Sequence, residues 1–217
     1  MKKSLLALAV AGTMAMSGAF AADVAGDGAT TTAAMNFTTG TDYTLTSDAA
    51  ITMGQVTNTT TNEGTISLGH TTTTVAIGST GAGIKALDIT AATTTLGGTV
   101  KATTITISSG ATLDAATNNI TGTVANAGTL NLTTGVVSGA ITGAGVVNFA
   151  GTQTTGDAIT ATTINVDAGG AVTAGGAIAG AVVVDSGTVL SMGDNAVTGA
   201  VANAGTLNLT TGVVSGA

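Results

Sequence analysis

Two aspartates occupy matching places in the sequence. Asp167 closes the run Ile164-Asn165-Val166-Asp167 and is followed by Ala168-Gly169, while Asp185 closes Val182-Val183-Val184-Asp185 and is followed by Ser186-Gly187. If the two runs stack as neighbouring strands, the carboxylates come within about 5 Å of each other. Such a pair could serve as acid and base on a sugar or share a Ca²⁺ ion. The flanking units place Ala150 and Thr210 at the same position, so the pair does not extend into a wider acidic cleft. The expected reading is two solvated turn residues. Asp167 and Asp185 stand only as weak calcium candidates, and no residue is assigned a catalytic role.

The other candidates are thinner still. His70 is the single histidine, followed by four threonines with Glu63 nearby, and it belongs to no recognisable triad. With no cysteine in the chain, a lone histidine makes a zinc or other transition-metal site improbable. Lys85 and Lys101 lie outside any GxxxxGK[ST] pattern, so the glycine-rich turns are not phosphate loops. No cofactor is expected.

The elements that would position these residues repeat. Residues 124–140 read VANAGTLNLTTGVVSGA, and residues 201–217 read the same seventeen letters. Beneath this lies a shorter unit: apolar–polar–apolar, a small polar residue, then often glycine. Units start at Ile66, Leu87, Ile105, Leu130, Val147, Ile164, Val182 and Leu207. Their second positions are Ser67, Asp88, Thr106, Asn131, Asn148, Asn165, Val183 and Asn208, of which only Val183 is apolar. Alternation of this kind marks a strand with one buried face. Threonine runs and 33 glycines disfavour helix, and Gly97-Gly98, Gly169-Gly170 and Gly175-Gly176 punctuate the strands.

Each unit is too small to bury its own apolar side, but stacked units bury a continuous column. The expected fold is all-β, a parallel β-helix (β-solenoid) of about eight coils, roughly 38 Å long at the inter-strand spacing. An antiparallel β-sandwich or meander is the alternative. The parallel form is favoured because Asn131, Asn148 and Asn165 recur seventeen residues apart, so their side chains would stack as a ladder. Residues 66–217 form the solenoid repeats. Residues 22–65 fit the unit less well and are expected to form an N-terminal β cap or irregular segment, with strands near Thr44-Leu45 and Ile51-Thr52. The chain stops inside the duplicated block, so a C-terminally truncated solenoid is expected.

Residues 1–21 have the parts of an export signal: Lys2 and Lys3, an apolar stretch over residues 5–16, and Ala19-Phe20-Ala21 as the cleavage site. The apolar stretch is shorter than the ~20 residues a membrane helix needs. Cleavage removes two of the four lysines. The remainder carries two basic and eleven acidic groups and no arginine, a formal charge of −9. That excludes nucleic acid, whose phosphates need a cationic footprint, and it disfavours an anionic membrane surface. Without cysteine, the exported chain must rest on packing and hydrogen bonds. With aromatics at 2% and no tryptophan, a thin aliphatic core fits better than a compact aromatic one. The hydrophobic fraction of 44% argues against simple disorder.

Ala127-Gly128-Thr129-Leu130-Asn131-Leu132-Thr133-Thr134-Gly135, its copy at 204–212, and Ala144-Gly145-Val146-Val147-Asn148-Phe149 resemble the β-strand repeats of autotransporter passenger domains. The resemblance covers roughly residues 60–217. It implies a right-handed parallel β-helix displayed at the cell surface or outer membrane of a Gram-negative bacterium, often as an adhesin. It also implies a C-terminal translocator barrel, a segment missing from this chain. The repeats are structural, so no functional residue is carried over.

The expected function is therefore that of a non-enzymatic, surface-exposed or secreted structural or adhesive protein. Its partners would be a host surface, a glycan or another copy of itself. A self-assembling matrix or surface-layer protein is the rival reading. A polysaccharide-active β-helix enzyme and an ice-binding protein rank below both. Ice binding needs regular threonine columns, and the runs at residues 71–74 and 93–95 do not recur at one unit spacing.

Overall fold

The computed structural model describes residues 55–58, 62–74, 76–78, 82–167 and 169–216. N-terminal to these it describes only the short strands Met14–Met16, Ala21–Val24, Thr30–Thr31, Met35–Phe37, Thr44–Ser47 and Ile51–Thr52. The cleavable-leader reading therefore falls mostly outside the described residues. All strand pairings among the described residues are parallel, with partners one coil apart. This is the β-solenoid expected from the alternation, and the antiparallel alternative is set aside.

The rod has three sides, each with one principal inward column. On the first side, Ile66 pairs with Leu87, then Ile105, Val124, Ile141, Ile159, Ile178, Val197 and Val214. Successive rungs are 21, 18, 19, 17, 18, 19, 19 and 17 residues apart, which makes eight coils between Ile66 and Val214. On the second side, Leu113, Leu130, Val147, Ile164, Val182 and Val201 stack. On the third, Val100, Ile120, Val137, Thr155 and Ala174 do so. The core is this aliphatic stack, with Phe149 its largest fully buried side chain. Each buried Val, Leu or Ile contributes about 1.5–3 kcal/mol, so the rod is held by many equal increments rather than by one centre.

The eight sequence units do not all lie on one side. Ile66, Leu87 and Ile105 are on the first; Leu130, Val147, Ile164 and Val182 are on the second; Leu207 pairs with Leu190 on the third. The two 25-residue intervals, from Ile105 to Leu130 and from Val182 to Leu207, are each one 19-residue coil plus six residues to the next side. The second positions nevertheless all face outward, since none of Ser67, Asp88, Thr106, Asn131, Asn148, Asn165, Val183 and Asn208 is buried.

The duplicated block shows the same displacement. Val124, Leu130 and Val137 lie on the first, second and third sides, whereas their copies Val201, Leu207 and Val214 lie on the second, third and first. One sequence thus serves on different sides, because each side asks for the same inward–outward alternation. Nearer the N-terminus, Leu45 pairs with Ile66 and Ile51 with Thr72, so the described strands at Thr44–Ser47 and Ile51–Thr52 continue the columns.

Candidate functional site

The second side carries a regular outer surface over five successive rungs. Its strands Thr93–Leu96, Thr112–Asp114, Thr129–Leu132, Val146–Phe149 and the end of Ile159–Val166 pair from Thr93 to Val166 without a register shift. Register shifts occur in the pairings of Val100–Ile107 with Ile120–Asn126, of Val189–Gly193 with Thr206–Leu209, and of Ile159–Val166 with Ile178–Val184, the last just beyond this run. Inward residues such as Leu113, Leu130, Val147 and Ile164 alternate with two outward columns. One column runs Thr93, Thr112, Thr129, Val146, Thr163; the other runs Thr95, Asp114, Asn131, Asn148, Asn165. All ten are half-exposed.

The asparagines form the expected ladder. Asn148 Nδ2 donates to Asn131 Oδ1 at 2.8 Å, and Asn165 Nδ2 donates to Asn148 Oδ1 at 2.8 Å. Each amide is thereby locked in orientation, which leaves its second N–H and second carbonyl lone pair directed away from the ladder. Above Asn165 the column continues with Val183, so the ladder ends there.

The structure brings Asp167 and Asp185 together, as the sequence suggests. Asp167 N–H donates to Phe149 C=O and Asp185 N–H donates to Val166 C=O, which puts the two residues at the same corner of successive coils. Both begin a tight turn: Gly170 N–H donates to Asp167 C=O, and Thr188 N–H donates to Asp185 C=O. The turns need a left-handed residue third in line, supplied by Gly169 and Gly187 at φ 90° and 80°. Burial, and then the neighbouring Asp185 charge, push the Asp167 carboxyl above its ordinary value. The residue in register above Asp185 is Ala204, not Thr210, because the 25-residue step carries Thr210 beyond the next side. Ala150 below and Ala204 above bring no further charge. Among the described residues no group of three or more His, Cys, Asp or Glu could hold a metal.

His70 is exposed just after strand Glu63–Leu68, and its carbonyl accepts a hydrogen bond from Thr72 Oγ1 at 2.9 Å. The structure does not bring it to the aspartate corner's hydrogen-bond network.

Seven polar residues are buried among the described residues, Thr72, Thr74, Thr94, Asn126, Gln153, Thr155 and Thr188, and two of them stand out. Asn126 is 1% exposed; its Oδ1 accepts from Gly128 N–H and its Nδ2 donates to Val146 C=O in the next coil. The Asn-Ala-Gly string is the signal for this corner, and Asn203 in the copy keeps the bond from Gly205 N–H. Gln153, also 1% exposed, sits over Gly135 and under Val172, and neither of its amide atoms has a hydrogen-bond partner in the protein. No sequence signal distinguishes it from an outward glutamine.

Over its described residues the chain is thus a three-sided parallel β-solenoid with an outward Thr/Asn face, whose asparagines are hydrogen-bonded along the rod, and a paired-aspartate corner. No protein-family model, curated protein or solved structure matches it.

Proposed function

We propose that this is a non-enzymatic, exported structural or adhesive protein of the autotransporter-passenger kind, working as a rod that presents its outer faces to a host surface, a glycan or another copy of itself. The observation that carries the reading is the parallel stack of coils from Ile66 to Val214, a rod that repeats the same inward and outward columns along its length. Stacked coils also fit a stalk, since each coil rests only on its neighbours and length adds without changing the core.

Export and adhesion are tested separately. Protease shaving of intact producing cells should degrade the chain, whereas protection within the cell would refute surface display. The purified full chain, labelled and applied to a glycan array and to host cells, should bind saturably, and sedimentation should report any self-association. A chain that binds neither and stays monomeric would end the adhesive reading.

A further inference from the structure

The frame that follows the pairings, rather than the sequence units, reveals threonines that recur at one spacing after all. Four of the five rungs from Thr93 to Thr163 carry threonine in the same outward column, beside a second column ending in three mutually bonded asparagines. The face is therefore a two-dimensional array of methyl, hydroxyl and amide groups, repeating about every 4.8 Å along the rod and about 6.7 Å across it. Asp114 is its one ionisable group.

These features narrow the partner. The face covers roughly 250 Å² at those spacings, whereas a stable protein–protein contact needs about 800 Å² on each side. It has none of the Trp, Tyr or Arg anchors on which protein interfaces depend, and the whole chain has neither Trp nor Arg. Its distinguishing property is periodicity in two directions, with groups that offer both hydrogen bonds and methyl surface to water. A partner that gains from periodicity is itself a lattice, and the repeats of this face are close to those between oxygens in ice.

We propose that the second side of the rod, through the Thr93–Thr163 and Asn131–Asn165 columns, binds the surface of ice. Water over the face is ordered in advance. The threonines recur at the rung period and supply hydroxyl and methyl groups to the first water layer, and the asparagine ladder holds the amides at the same period without further loss of entropy. This goes beyond the adhesive reading and does not depend on it.

The test uses the full chain in a nanolitre osmometer with microscopy of single ice crystals. The wild-type protein should shape the crystals into facets and open a gap between melting and freezing temperatures. Thr129→Lys or Thr163→Lys sets a long charged side chain on the face and should abolish both effects. Thr173→Lys, at an exposed position on the third side, should leave them intact. Circular dichroism and melting curves check the fold of each variant; if one face variant fails to fold, the other decides. Round, unshaped crystals with wild-type protein would overturn the proposal. So would equal loss in Thr173→Lys, which would trace the effect to something other than this face.

Discussion

Asn148 stands one coil above Asn131 and donates its Nδ2 to the Asn131 Oδ1 at 2.8 Å, while its own Oδ1 accepts from Asn165 at the same distance. It is the one residue of the ladder bonded on both sides within it. A net hydrogen bond contributes about 0.5–1.5 kcal/mol. Asn148→Ala should therefore cost about 1–3 kcal/mol, and Asn165→Ala, which removes one ladder bond, about half as much. Urea unfolding of the three chains reads both values. Equal losses would mean that the ladder adds nothing beyond the individual side chains.

The inward Gln153 gives a prediction of opposite sign. A buried amide without partners forfeits its hydration, a penalty of about 1–3 kcal/mol. Gln153→Leu should raise stability by an amount of that order, since Val172 above and Gly135 below leave it among apolar and small neighbours. A lower melting temperature in Gln153→Leu would show that the amide is used.

Two glycines separate conformation from space. Gly110 has φ 80° and open surroundings, so Gly110→Ala pays only for the left-handed backbone, about 1–2 kcal/mol. Gly122 has φ 131°, and a Cβ there would run into the Ala102 carbonyl oxygen of the coil below. Gly122→Ala should cost clearly more than Gly110→Ala in thermal unfolding. Equal costs would show that the coils can separate locally without penalty.

The aspartate corner predicts how stability responds to pH. The Asp167 carboxyl is raised above its ordinary 3.8 by burial and by Asp185, so the folded chain holds this proton more tightly than the unfolded chain does. Stability then falls as pH rises from the unfolded to the folded value, and the penalty persists above it. Acidifying from neutrality through the folded value should relieve this contribution, and Asp167→Asn should remove it and be the more stable chain at neutral pH. Melting temperatures of both chains between pH 3 and 7 check this. Parallel curves would show that the corner is not coupled to folding.

Much of the fold was legible because its signals are local. Alternation in Leu130-Asn131-Leu132 and Ile164-Asn165-Val166 says which side chains turn inward, and the seventeen-residue recurrence of asparagine implies parallel, in-register stacking. The aspartate pair followed from the same logic, since two identical Asp-x-Gly turns at equivalent corners must superpose. Gln153 was not legible: its inward direction depends on alternation within Thr152–Thr155, a strand of otherwise polar residues that offers no apolar face to read.

By itself the sequence determined the alternation of buried and exposed residues, the turn positions and the parallel ladder, because each depends on a few neighbouring residues and on a strand period of two. Tertiary structure alone decided which side each strand occupies. The three sides demand the same apolar–polar pattern, so no local preference tells them apart. The sum of strand and corner lengths around each coil does, and that sum sets Val124 and its copy Val201 on different sides, puts Ala204 over Asp185, and aligns Thr93, Thr112, Thr129 and Thr163 on one face.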